Sequence, residues 1–157
     1  MKYWRRIVFL VFSLVLVTLF VADRAIKYYF LKNSDQILGR DFFMRQLDFH
    51  LVKNPGLAFG LPFSQPWLLV LTAGVLIVLV FFLVAAGKKS DWWLVGAYAL
   101  IITGAVSNFI DRLRFNSVID YIDIPWFTVF NLADVMISSG VVIFVFLIFF
   151  DRKNILR

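Results

Sequence analysis

The sequence predicts an all-α membrane protein, a four-transmembrane-helix bundle that forms one integral membrane domain over residues 1–157. Of the 157 residues, 62% are hydrophobic. The mean hydropathy of +0.87 is far above that of a soluble domain of this length. Four apolar stretches alternate with polar segments, and they are residues 7–22, 67–86, 92–110 and 135–150.

The first and last stretches are shorter than the roughly 20 helical residues that a bilayer core requires. Their helices must therefore continue into polar sequence, which gives predicted spans of about 7–27, 67–86, 92–110 and 132–150. This continuation brings Asp23, Asn131 and Asp134 to the membrane border or inside it. Charged groups at that depth are costly and are usually functional.

The distribution of charge predicts the orientation. The chain carries 16 basic and 10 acidic residues, a net charge of +6, and the excess lies at both termini and around Lys88 and Lys89. By the positive-inside rule these parts are cytoplasmic. The outer segments are then residues 28–66 and 111–131, and both termini face the cytoplasm.

The outer segments contain signals for short strands. Residues 42–52 alternate loosely between apolar and polar side chains and end at a turn signal, Asn54-Pro55-Gly56. Residues 118–130 are rich in β-branched and aromatic side chains, which fits either a short strand or a re-entrant loop. We expect a small sheet at the membrane surface.

Composition excludes several classes of function. The chain has no cysteine, so it has no disulfide and no thiolate that could act as a nucleophile or bind a metal. Its basic residues cluster at span ends, where they bind anionic headgroups, so we expect no nucleic-acid partner. The first apolar stretch resembles a secretory signal peptide, but Val21-Ala22-Asp23-Arg24 is a poor cleavage site, and we expect the helix to be retained.

Asp120 and Asp134 are the strongest candidates for chemistry. Two carboxyl groups held close together in a pocket of low dielectric cannot both ionise and share one proton. One of them can then activate water while the other polarises a carbonyl group. The alternative is a pair of helix caps, because Asp134 precedes the apolar run of the fourth span.

Other polar residues near the span ends form spaced pairs. Asp23 and Lys27 are four residues apart, which favours an ion pair that braces the first helix. Asn108 shares a helix face with Arg112, and Asp111 beside Arg112 is typical of a structural ion pair. Amides such as Asn131 can orient a carboxylate or donate to a substrate carbonyl.

Together these motifs resemble one family, the bacterial lipoprotein signal peptidases or type II signal peptidases. The resemblance implies an aspartyl endopeptidase of the bacterial cytoplasmic (inner) membrane. Such an enzyme removes the signal peptide of a prolipoprotein just before its diacylglyceryl-modified cysteine. Five blocks in the family's order carry the resemblance: residues 23–27, 54–59, 104–112, 118–121 and 130–134.

By motif, Asp120 and Asp134 match the catalytic pair. The supporting and substrate-contacting candidates are Asp23, Lys27, Asn54, Gly56, Asn108, Asp111, Arg112, Asn131 and Ala133. The family also implies a small extracytoplasmic β-cradle with a short surface helix, a prolipoprotein substrate among membrane phospholipids, and a site facing the extracytoplasmic side. We expect no cofactor, no metal and a monomer. The chain departs from the family pattern at Ile26, Gly60, Thr103 and Asn116.

Two rivals remain open on the residues alone. A metal-dependent lipid-headgroup transferase would bind Mg²⁺ through carboxylates such as Asp111, Asp120, Asp123 and Asp134. A small transporter or channel subunit would use the same cluster as a proton or ion relay. The absence of charges within the two middle spans counts against the transporter.

Overall fold

The computed structural model describes residues 2–33, 49–56 and 65–150. Within these residues, four helices are long and apolar enough to cross a membrane, and this confirms the predicted four-helix membrane fold. The elements in chain order are α1 (Lys2–Lys32), β1 (Val52–Asn54), α2 (Gln65–Lys88), α3 (Trp92–Phe115), β2 (Val118–Asp120) and α4 (Leu132–Phe150).

Two helices continue further than the sequence predicts. Helix α1 reaches Lys32 and α3 reaches Phe115. Near the end of α3, Asp111 forms ion pairs with Arg24 and Lys27 of α1. Asp111 and Arg112 therefore lie within α3 and not after it. Helix α3 ends at Asn116, whose φ of 53° is left-handed and whose N–H donates to the Arg112 carbonyl. Asparagine tolerates this conformation, which explains its presence where the family often has glycine.

Helix α3 is the central helix, and it contacts all three of the others. Glycines let it approach α4 closely. A Cβ at Gly104 would collide with the Ala133 carbonyl, and one at Gly140 would lie 2.7 Å from the Ala97 carbonyl. Small residues at such contacts are how membrane helices pack tightly. The contact at Gly104 holds the first turn of α4 in place.

The two strands pair antiparallel at one end of the bundle. Val52 is opposite Asp120 and Asn54 is opposite Val118. After β2, residues 121–130 form a hairpin closed by an antiparallel bridge between Ile122 and Phe130, so this segment is a strand followed by a loop. The predicted strand region 42–52 is described only from residue 49, and β1 begins at Val52. No short surface helix occurs in residues 49–56, and the neighbouring residues 34–48 and 57–64 lie outside the description.

Candidate active site

A cavity of about 590 Å³ lies at the same end of the bundle as the sheet. Much of its wall is apolar and comes from residues 127–130 and from α4. Five of the residues that the sequence singles out line it: Asn54, Asn108, Arg112, Asp120 and Asp134. The structure thus brings together side chains that are up to 80 positions apart in the chain.

Asp120 ends β2 and is only 2% exposed. Its two oxygens accept hydrogen bonds from Asn131 Nδ2 at 2.6 Å and from Asn54 Nδ2 at 3.2 Å. Burial, and secondly the negative charge of Asp134, raise the pKa of Asp120 to about 6 despite these two amide donors. This carboxyl group therefore holds a proton at pH values where an ordinary aspartate is ionised.

Asp134 lies in the first turn of α4 and forms a reciprocal cap with Asn131. The Asp134 N–H donates to Asn131 Oδ1 at 2.9 Å, and the Asn131 N–H donates to Asp134 Oδ2 at 3.2 Å. Its other oxygen, Oδ1, accepts from Asn108 Nδ2 at 2.8 Å. Asp134 thus caps its helix and also lines the cavity. Asn131 contacts both carboxyl groups and so links β2 to α4.

A buried ion network lies behind the cavity. Lys27 Nζ lies 3.0 Å from Asp23 Oδ2 and 2.8 Å from Asp111 Oδ2. It also donates a hydrogen bond to Asn108 Oδ1 at 2.9 Å. A lysine has three donors and no acceptor, so Asn108 must present its oxygen to Lys27 and its NH₂ group to Asp134. Lys27 therefore fixes the orientation of an amide that contacts a cavity carboxylate.

The ion pairs of Asp111 differ from the sequence prediction. Asp111 pairs across the bundle with Arg24 at 2.5 Å and with Lys27, rather than with its neighbour Arg112. Arg112 lines the cavity. Its Nε is buried and has no hydrogen-bond partner in the part of the chain that the structure describes. An arginine donor that is left unpaired beside two carboxyl groups is available to a ligand.

The remaining predicted residues support this arrangement through the backbone. The Ala133 N–H donates to Asp23 Oδ1 at 3.2 Å, which ties the start of α4 to α1. The Gly56 N–H donates to Asn54 Oδ1 at 3.1 Å, so the Asn54 NH₂ group is directed at Asp120. Both are positioning contacts and not contacts with the cavity itself.

Sequence reasoning missed three members of the network: Arg24, Ser107 and Tyr121. Ser107 Oγ donates to Asp23 Oδ2 at 2.5 Å, and Arg24 neutralises Asp111. The Tyr121 hydroxyl donates to Asp23 Oδ1 at 3.2 Å and accepts the Leu132 N–H at 3.0 Å. Each is adjacent in sequence to a predicted residue, and that adjacency was the signal available.

Tyr121→Phe is expected to lower stability by about 1–2 kcal/mol, since the Leu132 N–H loses its acceptor and Asp23 loses a donor. The ring stacks on Phe30 at 5.3 Å between centroids, and this contact survives the substitution. Burial and the charge of Asp23 raise the pKa of Tyr121, so the hydroxyl stays a donor. Thermal unfolding in detergent measures the effect. Tyr28→Phe, at an exposed position, is the control, and equal midpoints for both variants would contradict the assignment.

The raised pKa of Asp120 predicts that stability falls as pH rises. Between the ordinary aspartate value of 3.8 and about 6, the folded protein binds more protons than the unfolded chain. The loss amounts to about 3 kcal/mol, because a tenfold change in proton affinity is worth about 1.4 kcal/mol. Asp120→Asn removes the titrating group but keeps only one of the two accepting oxygens, so its thermal midpoint relative to that of the parent should be higher at pH 7 than at pH 4. A parent-minus-variant difference that does not change with pH would contradict this prediction.

No group of three or more His, Cys, Asp or Glu side chains in residues 2–33, 49–56 and 65–150 is arranged to hold a metal ion. The cavity offers Asp120 and Asp134 as its two carboxylates. Their hydrogen bonds come from amides and a backbone N–H, which are donors that stabilise ionised carboxylates.

The fold and this cavity define a polytopic membrane protein in which two carboxyl groups line one cavity at one end of the helical bundle. A family model described as signal peptidase (SPase) II matches residues 4–150. A lipoprotein signal peptidase of Lactobacillus gasseri is 31% identical over 157 residues, which is 98% of this chain and 100% of the relative. One of Lactococcus lactis is 34% identical over 146 residues, covering 90% of this chain and 96% of the relative.

Solved structures agree with the sequence relatives. A bacterial membrane enzyme determined by the in meso method at 2.3 Å resolution superposes with a TM-score of 0.81 at 26% identity. The match covers 92% of this chain and 91% of that one. The chain belongs to the signal peptidase II family, which confirms the resemblance seen in the sequence, and it is an integral membrane peptidase.

Proposed function

We propose that this chain is an aspartyl endopeptidase that removes the signal peptide of diacylglyceryl-modified prolipoproteins, cutting just before the lipid-modified cysteine. The observation that carries the proposal is that Asp120 and Asp134 line one cavity and are both hydrogen-bonded to Asn131. The substrate class is supported by relatives that are lipoprotein signal peptidases.

The chemistry requires the two carboxyl groups to share one proton. The ionised group takes a proton from water while the water oxygen bonds to the scissile carbonyl carbon. The protonated group donates a hydrogen bond to the carbonyl oxygen. The C–N bond then breaks, and the leaving amine takes up a proton from the pair. The raised pKa of Asp120 supports this division, since it keeps a proton in the site up to about pH 6, where an ordinary aspartate is ionised.

The cavity also suits a peptide that is drawn from water into the membrane. Buried backbone carbonyls need hydrogen-bond donors, and Arg112 Nε is a buried donor without a partner in the described residues. Asn54, on β1, lines the same cavity. In the proposed complex these two side chains hold the backbone on either side of the scissile bond, and the substrate's acyl chains stay in the lipid.

The proposal extends to location and partners. The charge distribution supports cytoplasmic termini and a site facing the extracytoplasmic side of the bacterial inner membrane. The chain acts in this proposal as a single membrane domain and a monomer, surrounded by phospholipids. It needs no cofactor or metal and binds no nucleic acid.

Purified full-length protein in lipid nanodiscs should be incubated with a diacylglyceryl-modified precursor and with its unmodified counterpart, each with and without a chelator. We expect cleavage of the modified precursor at the bond before the lipidated cysteine, identified by mass spectrometry. The unmodified precursor should stay intact, and the chelator should have no effect. Chelator-sensitive activity would favour a metal-dependent enzyme, and equal cleavage of both precursors would contradict the substrate assignment.

A further inference from the structure

The connection between β2 and α4 is a hairpin with an apolar tip. The Tyr121 and Ile122 N–H groups donate to the Phe130 carbonyl at 3.1 and 2.8 Å, and the Phe130 N–H donates to Ile122 O at 2.9 Å. The tip is a turn over residues 124–127, closed by the Phe127 N–H on the Ile124 carbonyl at 2.9 Å. The base of the hairpin is thus well bonded, and its tip is a defined structure.

The backbone of this turn disfavours the residue that occupies it. Pro125 is at the second position, and Trp126, at the third, has a φ of 70°, which is the pattern of a type II turn. That third position favours glycine or asparagine because a positive φ brings Cβ against the backbone. A tryptophan there costs backbone free energy. Strain of this kind at a defined place points to a function of the side chain.

The strained side chain lies on the outside of the described structure. Trp126 is fully exposed, and Phe127 and Ile124 are 61% and 37% exposed. From residue 124 to residue 130 the chain has no charged side chain. The tip is therefore a continuous apolar surface, which is unfavourable in water.

The position of the hairpin indicates what covers this surface. It joins the ends of two membrane-spanning helices, α3 and α4, so its tip lies near the depth at which the spans leave the bilayer core. The last turn of α3, which precedes β2 in the chain, exposes Leu113 and the basic Arg114. Tryptophan prefers the boundary between headgroups and acyl chains, and basic residues attract anionic headgroups.

We propose that residues 124–127 form a membrane anchor that inserts Trp126 among the phospholipids at the headgroup boundary, next to the cavity. Asp120 and Asn131 lie just outside the two ends of the hairpin, and residues 127–130 form part of the cavity wall. The anchor therefore holds one wall of the cavity at a fixed depth in the bilayer. This inference does not depend on the proposed peptidase mechanism.

The absence of cysteine from the sequence permits a direct test on the full-length protein. Trp126→Cys is labelled with an environment-sensitive fluorophore and reconstituted in phosphatidylglycerol-containing vesicles. Lys53→Cys, exposed on β1, and Val142→Cys, exposed in the middle of α4, are the controls. Quenching is measured with aqueous iodide and with nitroxide lipids labelled at the headgroup, near the top of the acyl chain or near its end.

The label at position 126 should be quenched most strongly by nitroxides at the headgroup or near the top of the acyl chain. Iodide should quench it at least about threefold less than the label at position 53, since an interfacial side chain is withdrawn from water. Iodide quenching equal to that at position 53 would overturn the proposal. Protection from iodide without quenching by any nitroxide lipid would also overturn it, because a protein segment would then cover the tip.

A second variant separates anchoring from folding. Trp126→Gly relieves the positive φ, so its thermal midpoint in detergent should be no lower than that of the parent. A label on Ile124→Cys should become at least about threefold more accessible to iodide when Trp126→Gly is added. If the depth of the label does not change in the Gly variant, Trp126 is not the anchor.

Discussion

Asp120→Asn or Asp134→Asn is expected to reduce cleavage of a diacylglyceryl-modified precursor by at least about 10³-fold in kcat/KM, in line with the loss of general acid–base catalysis. Asparagine keeps the size and the hydrogen-bond reach of aspartate but can neither hold nor transfer the proton that the proposed reaction passes between water, carbonyl and amine. The measurement is a single-turnover assay with purified variants in lipid nanodiscs. Near-normal cleavage by either variant would contradict the catalytic assignment.

Two comparisons show whether such a loss comes from chemistry or from damage to the fold. Asp123→Asn changes another carboxyl group of the same segment, one that is outside the residues lining the cavity. Asp123 is partly exposed and its Oδ2 lies 3.7 Å from His50 Nδ1, a weak contact, so the variant should retain activity within about twofold. Asp120→Asn should in addition gain stability relative to the parent between pH 4 and pH 7, because the pKa of Asp120 in the folded protein is raised. An inactive variant that unfolds cooperatively with this pH dependence is a folded protein.

The four spans could be predicted because their apolar length leaves few alternatives. The two short stretches also predicted that Asp23 and Asp134 would lie inside helices, and both do. The helix ends were harder to predict, since Asp111 and Arg112 look like the first polar residues after a span. Instead they lie within the helix, where Asp111 pairs with Arg24 and Lys27 of α1 and Arg112 lines the cavity, and no pattern within α3 shows this.

The network behind the cavity was the least predictable part of the structure. Spacing within one helix suggested the pair of Asp23 and Lys27, but Lys27 also contacts Asp111 and Asn108, some 80 residues away. Such contacts depend on how α1 and α3 cross, which the apolar pattern does not specify. The conformation of residues 118–130 was hard to predict for a related reason, because their sequence fits a strand and a loop equally well. The bridge between Ile122 and Phe130, which the sequence pattern does not show, defines the hairpin.

Lys27→Met is expected to lower stability by about 3–5 kcal/mol, the usual effect of leaving a buried carboxylate without its partner. Lys27 has no exposed side-chain surface and lies between Asp23 and Asp111, whereas Arg24 forms its ion pair with Asp111. Removal of the ammonium group therefore leaves one excess negative charge inside the bundle. Thermal unfolding in detergent measures the loss, and a drop no larger than that of an exposed Lys89→Met control would contradict the assignment.

A double variant distinguishes a purely structural role of Lys27 from a role in orienting the Asn108 side chain. Adding Asp111→Asn to Lys27→Met removes the excess charge, so about half or more of the lost stability should return. Activity should not return with it, because Asn108 Oδ1 then keeps only the longer hydrogen bond from Asn131 Nδ2 at 3.2 Å, and the Asn108 NH₂ group is held less firmly on Asp134. We expect kcat to stay at least about tenfold below the parent with KM little changed, as for an interaction that acts mainly in the transition state. Recovery of kcat together with stability would show that Lys27 only braces the bundle, and that the dyad does not need the Lys27–Asn108 contact.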